Sequence, residues 1–321
     1  MENKKNAAKK SSFDAAGIIA KLGPLLALIV LVIVVSVMNS DFLNPNNLLN
    51  LLRQVAANGF IAFGMTFVIL TGGIDLSVGS TLALSSALTA GFIANGMNAP
   101  LAVLIGLLTG AILGAINGLL IAKGSMAPFI ATLATMTIYR GATLVYTKGN
   151  PITGLGDSFF FSFLGRGYLF GIPFPVVLLF IMFIILFILL HKTAFGKKTY
   201  AIGGNEKAAF VAGVKIDKIK ILIYSLSGLM AAISGMIITS RLNSAQPTAG
   251  QSYEMDAIAS VVLGGTSLSG GKGRIFGTLV GALIIGTLNN GLNLLGVSSF
   301  YQQIVKGIVI VIAVLLDRKK K

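Results

Sequence analysis

Residues 173–191 read PFPVVLLFIMFIILFILLH, and between Phe174 and Leu190 no side chain carries a charge. A hydrocarbon layer of about 30 Å takes roughly 20 helical residues, so the stretch has the length and character of a membrane crossing. Apolar and polar residues do not alternate as they would in a half-buried strand. Backbone groups in lipid must also bond within their own segment, so the crossing is a helix. Working outward, similar stretches lie at 22–39, 52–71, 76–95, 100–122, 126–147, 219–240, 252–270, 275–296 and 300–316. The composition agrees: 11% of residues are charged, where a soluble domain would carry about a quarter. The mean hydropathy is +0.88. The expected fold is all-α, a polytopic membrane protein of about ten transmembrane helices forming one domain over residues 1–321.

Charge sets the expected orientation. With the N-terminus inside, ten crossings return the C-terminus to the cytoplasm. The inner side then holds Lys4, Lys5, Lys9, Lys10, Lys21, Lys123, Lys192, Lys197, Lys198, Lys207, Lys215, Lys218, Lys220, Lys272, Arg274, Arg318, Lys319, Lys320 and Lys321. The outer side holds Arg53, Lys148, Arg166 and Arg241. Nineteen against four is a strong positive-inside bias. It also accounts for the net charge of +15 as topology facing anionic headgroups, with no basic stripe interleaved with aromatics to suggest nucleic acid. The Lys-rich start and the run Leu25–Met38 resemble a signal peptide, but Met38-Asn39-Ser40 offers no small-x-small cleavage site, so this helix is expected to be retained. The segments between crossings divide into a cytoplasmic tail (1–21), outer loops at 148–172 and 241–251, and a cytoplasmic loop at 192–218.

Two internal likenesses point to different registers. GAILGAINGLLIAKGSMAPFIATLA from Gly110 matches GALIIGTLNNGLNLLGVSSFYQQIVKG from Gly281, which pairs crossings 4 and 5 with 9 and 10 as an inverted repeat, a common plan in transporters. VILTGG from Val68 matches VVLGG from Val261 in another register. Gly106, Gly110, Gly114 and Gly118 recur every fourth residue, as do Gly277 and Gly281. Such rows let helix backbones approach closely, either as fixed contacts or as a moving interface.

The chemistry is defined largely by what is missing. The chain has no cysteine, which excludes disulfides, thiolate catalysis and Cys-ligated metals. The single histidine, His191, cannot build a zinc site, and no metal or catalytic constellation is expected. None of the ten acidic residues falls at the middle of a crossing in this reading, so a proton relay is missing. Arg140 and Lys306 lie off-centre and can snorkel, so a structural role is expected for both. GGTSLSGGKGR from Gly264 imitates a phosphate-binding loop, but Thr266 and Gly273 occupy places where the motif needs Gly and Ser or Thr. It reads as a glycine-rich inner turn.

The inner loop from Tyr200, YAIGGNEKAAFVAGVKIDKIK, has the marks of a short capped helix. Asn205 suits the N-cap, Glu206 and Lys207 open the helix, and Gly213 can end it in the left-handed region. Ala208, Ala209, Phe210 and Ala212 make it mildly apolar. So short a helix is marginal alone and is expected to dock on something; the residues by themselves also fit a solvated basic loop. Within the crossings, Asn289 and Asn293 are one turn apart beside Asn290, and Thr132, Thr135 and Tyr139 follow helical spacing. Amides and hydroxyls can exchange hydrogen bonds with a neutral polyol, or with neighbouring helices.

GMTFVILTGGIDLSVGS (Gly64–Ser80), GGNEKAAFVAGV (Gly203–Val214) and SAQPTAGQSYEMDAIASVVLGGTSLSGGKGR (Ser244–Arg274) resemble the sugar permeases of bacterial ATP-binding-cassette importers. The likeness runs from about Ala27 onward. Members for xylose, galactose and a quorum-sensing furanose share much of the pattern, and NNGLNLLGVSSFYQQIVK from Asn289 is most similar to the ribose-carrying members. The resemblance implies a bacterial inner-membrane protein working as two copies of this chain. It also implies a cytoplasmic subunit that binds and hydrolyses ATP, and an extracytoplasmic sugar-binding protein; this chain itself would bind no cofactor. It makes Gly203, Gly204, Asn205, Glu206, Ala208, Ala209 and Gly213 the segment that contacts the ATPase. The family motif includes Gly72, Gly73, Asp75, Ser77 and Gly79, which read as structural: Asp75 falls at the inner start of the third crossing, where a carboxylate can cap free N–H groups, the alternative being contact with the solute.

Two functions fit: the permease of an ATP-driven sugar importer, and a self-sufficient channel or facilitator for small neutral solutes. The absence of an internal energy source suits both, while the motifs and the capped inner loop favour the first. A membrane-embedded enzyme is disfavoured because no nucleophile–base pair is visible.

Overall fold

The computed structural model describes residues 15–156 and 158–318. The tail lysines Lys4–Lys10 and Lys319–Lys321, and Asp157, lie outside them. The described chain runs α1 (Ala15–Met38), a 3-10 turn at Ser40–Leu43, α2 (Pro45–Leu70), α3 (Val78–Ala94), α4 (Ala99–Ala122), α5 (Pro128–Thr147), α6 (Phe159–Arg166), α7 (Phe174–Lys192), α8 (Ala194–Gly204), α9 (Glu206–Val211), α10 (Ile216–Leu242), α11 (Tyr253–Leu263), α12 (Ile275–Leu294) and α13 (Ser299–Arg318). Between α6 and α7 a two-residue hairpin pairs β1 (Tyr168–Leu169) with β2 (Ile172–Pro173). Proline stands in the first turn of α2, α4, α5 and α7, where its missing N–H costs nothing and its fixed φ suits the helix. Asn44 adds a cap to α2 by accepting from Asn46 N at 3.0 Å.

Five helices, α2, α4, α7, α10 and α12, are long and apolar enough to cross a membrane unaided. Residues 22–38 of α1, the whole of α3 and residues 299–312 of α13 are apolar but shorter. The stretch 252–270, expected as a crossing, departs from the reading: only Tyr253–Leu263 is helical. Eleven residues span about 16 Å, half a bilayer. Irregular chain, residues 243–252, precedes α11, and the segment expected as an outer loop at 241–251 is exposed at Arg241, Leu242, Asn243, Thr248 and Gln251 but partly folded inward. Its Ser244, Ala245, Pro247 and Gly250 are buried.

α2 and α10 form the centre. From Val55 to Leu70 nearly every residue of α2 is buried, between α10, α12, α11 and α7. The glycine row of α4 lies directly on α10. A Cβ at Gly110 would stand 2.5 Å from Ala232 Cβ, one at Gly118 would stand 2.6 Å from Ile221 Cα, and one at Gly114 would overlap the Tyr224 carbonyl. The contact is backbone on backbone. The opposite face of α4 presents Leu101, Leu104, Leu108, Ile112, Ile116 and Leu119 outward, a continuous apolar stripe suited to lipid. The likeness between VILTGG and VVLGG has a local cause. In each, the glycine after the C-cap is left-handed (Gly72 φ 77°, Gly265 φ 86°), and paired bonds close the end: Gly72 N to Ile69 O with Gly73 N to Val68 O, and Gly265 N to Val262 O with Thr266 N to Val261 O. Both stretches are the same helix stop. A shared stop needs no duplication, so this match carries no repeat.

Candidate functional site

Between α2 and α3 the chain unwinds over Gly72–Ser77, and at its centre sits Asp75, buried to 1% exposure. Asp75 Oδ1 accepts from Ser77 N (3.0 Å) and Ser77 Oγ (2.7 Å), and Oδ2 accepts from Ser227 Oγ of α10 (2.9 Å). Asn117 of α4 donates to Ser77 Oγ at 2.7 Å. The carbonyl of Ile74, which no helix satisfies, accepts from Thr132 Oγ1 (3.3 Å) and Tyr224 Oη (3.4 Å). Unwound backbone at membrane depth survives only when protein groups supply such partners. Asp75 lies just before α3, against the middle of α10 at Ser227, with Asn117 near the C-terminal end of α4 and Thr132 near the N-terminal end of α5 completing the network.

The second irregular stretch, residues 243–252, descends to meet the first. A Cβ on Gly79 would overlap Gly250 O and stand 3.0 Å from Glu254. Arg140 Nη1 donates to Pro247 O (2.6 Å) and Ala249 O (2.9 Å). On α11, buried Asp256 accepts from Lys306 Nζ of α13 at 2.9 Å. Both cations have the structural role expected of them, but not by snorkelling. Each turns inward, because an unsatisfied carbonyl or carboxylate within the bundle is a better partner than a distant headgroup.

At this same C-terminal end of α2, just before Gly72–Ser77, three glycine-containing segments meet. Gly271 N donates to Leu70 O at 2.9 Å, and Gly203 lies so close that a Cβ there would overlap Leu70 O. Tyr200 Oη donates to Gly273 O at 2.8 Å. Burial pushes the Tyr200 hydroxyl up, with Arg274 opposing, so it remains a donor at neutral pH. Asn205 Oδ1 accepts from Ala208 N (3.0 Å) and caps α9. Gly213 follows in the left-handed region at φ 81°, its N–H bonded to Phe210 O and that of Val214 to Ala209 O. Ala209 is buried, while Phe210 (71%) and Val211 (86%) face outward. Glu206 pairs with Lys220 at 2.8 Å. Beside α9 lies a groove of about 1240 Å³, lined by Phe210, Val211, Val214, Leu222, Lys123 and Glu206 among others. The glycine turn 264–274 is thus a backbone contact surface.

The residues considered for a solute path are not gathered in one place. Thr132 and Thr135 are buried on α5 and bond carbonyls of their own helix, Pro128 O at 2.8 Å and Ala131 O at 3.1 Å. On α12, Asn293 is exposed and accepts from Gln302 at 2.7 Å. Asn289 Oδ1 is buried without a partner among the described residues. Its neighbour Asn290 exchanges two bonds with Asn47, at 3.0 and 2.8 Å. Sequence reading passed over Asn117, Ser227 and Asn47. Asn117 had a signal, an amide inside the glycine row between Gly114 and Gly118. Among the described residues no group of three or more His, Cys, Asp or Glu could hold a metal.

A family profile described as the permease component of branched-chain amino acid transport systems matches residues 47–314. The chain is 68% identical over 312 residues to the ribose import permease protein of Bacillus subtilis (strain 168), covering 97% of this chain and 96% of the relative. It is 54% identical to the ribose import permease protein of Escherichia coli (strain K12), over 92% of this chain and 93% of the relative. It is 41% identical to the D-allose transport system permease protein of the same organism, over 98% and 97%. No solved structure matches the chain. With helices built to cross a bilayer and a profile covering most of its length, the chain belongs to this transport-system permease family and is a multi-pass membrane transport component, not an enzyme.

Proposed function

We propose that this chain is the membrane subunit of an ATP-driven importer that carries ribose into the cell. It would work as a pair of copies, with a separate ATP-hydrolysing subunit at the cytoplasmic end and a soluble extracytoplasmic protein delivering the sugar. The observation that carries this reading is the identity of 68% along nearly the whole chain to a ribose import permease. The family description names amino acids, but a zwitterion needs charges to receive it. Three of the interior charges are already engaged, Asp75 by serines, Arg140 by carbonyls and Lys306 by Asp256. The many hydroxyls and amides on the helices suit a neutral polyol. The nineteen-to-four charge count supports cytoplasmic termini and puts α8 and α9 inside. The outward Phe210 and Val211 beside the groove give the ATPase an apolar foothold.

In proteoliposomes, ribose should enter only with this chain, the ATPase subunit, the binding protein and ATP all present, and collapsing proton or sodium gradients should change nothing. Ribose entry through this chain alone would establish the facilitator instead. Orientation is checked by single cysteines at Thr153 and Lys198, in a chain with no others. An impermeant reagent should label the first only from outside and the second only from inside.

A further inference from the structure

We propose that Gly203 couples α9 to the end of α2 and to the glycine turn at 264–274 at once, so that α8–α9, the end of α2 and that turn before α12 move as one body. The inference rests on the importer reading, in which α9 receives the stroke of the ATPase. Asn205, which caps α9, follows Gly203 by two residues and bonds back into α8 through Ala201 O. α9 therefore cannot tilt without carrying Gly203. At Gly203 there is room for no side chain: a Cβ would overlap Leu70 O and stand 2.5 Å from Gly271 N. The same closeness recurs across the contact. A Cβ on Gly270 would stand 2.9 Å from Gly72 N and 3.1 Å from Gly203 Cα, and one on Gly271 3.0 Å from Gly204 Cα.

Contact of this kind transmits displacement faithfully. Side chains absorb sub-ångström shifts by turning about their χ angles, whereas touching backbones in a close-packed interior cannot. From Leu70 the chain runs directly into Gly72–Ser77 and the Asp75 network. From Gly271 it runs into α12, whose Gly277 and Gly281 lie against the carbonyls of Gly264 and Ser260 on the α11 side. α11 in turn holds the Asp256–Lys306 pair. The other tie on α9, Glu206 to Lys220, is half-exposed on the acid and too soft to set position.

The test is Gly203→Ala in the complete complex in proteoliposomes, reading ATP hydrolysis, ribose uptake and the amount of ATPase subunit retained. The ATPase should remain bound and active while ribose moved per ATP falls at least tenfold. A structural role alone would lower recovery and both activities together, leaving the ratio unchanged, and that result overturns the proposal. If the Gly203→Ala chain is not recovered from membranes, Tyr200→Phe decides, since it removes only the hydroxyl bonded to Gly273 O. A fall in ribose per ATP of about twofold supports the proposal, and an unchanged ratio overturns it. The unaltered complex, assayed in the same vesicles, separates the two ideas: failure to import ribose with ATP sinks the importer reading, and normal import with unaltered variant ratios sinks only the role of Gly203.

Discussion

The two irregular segments solve one problem by opposite means. Gly72–Ser77 is held by neutral groups shared around a single carboxylate: Ser77, Ser227 and Asn117, with Thr132 and Tyr224 on the Ile74 carbonyl. The 243–252 segment and the α11 that follows are bridged at Ala245 to Ile152 and take their charged ties from two cations, Arg140 and Lys306, each arriving from a different helix. A shared network tolerates loss of one member because the remaining donors still hold the same carboxylate. A single charged tie does not, because removing it strands a buried acceptor. The two come together through the first turn of α3, where Gly79 lies against Gly250.

That contrast can be broken in several places. The largest effect should come from Gly79→Leu, which forces the segments apart at their contact; uptake should vanish and the cooperative thermal transition of the purified protein should be lost. Next, Lys306→Ala leaves Asp256 buried and unpaired at a cost of about 3 kcal/mol, read from chemical unfolding in detergent. Adding Asp256→Asn should recover most of that loss, and no recovery would mean that Lys306 acts through something other than the pair. Arg140→Lys keeps the charge but not the planar fork. A loss of about 2 kcal/mol is expected, with ribose uptake reduced severalfold. The smallest effect belongs to Ser227→Ala, one of three donors to Asp75, at about 1 kcal/mol. Should this serine prove as costly as Lys306, the distinction between a shared network and single ties fails.

Much of the fold could be read from the chain because its strongest signals are local. The uninterrupted run at 173–191 became α7, the Gly106–Gly118 row became the face of α4 that meets α10, and Asn205 and Gly213 bound α9 as their capping chemistry requires. What escaped is set by distant partners. Residues 252–270 are apolar enough for a crossing, yet Gly264 and Gly265 stop the helix halfway, and average hydropathy does not register a stop. That Ser227, on a helix about 150 residues away, would bond Asp75 has no local signal in the chain. Snorkelling was a fair default for Arg140 and Lys306 only while Pro247, Ala249 and Asp256 were not known to face them. Thr132 and Thr135 bond their own helix at i−4, a habit of threonine in helices that a closer reading could have weighed.

The glycine face of α4 has a mechanical consequence. Two rods clamped along their length bend as one thicker rod, and α4 with α10 is clamped in this way from Ile221 to Met236. The pair is a spar: stiff against bending, and a fixed reference against which lighter members swing. Strain introduced at α9 cannot be dissipated by flexing the spar it adjoins. It has to emerge as rotation of the helices hinged around it.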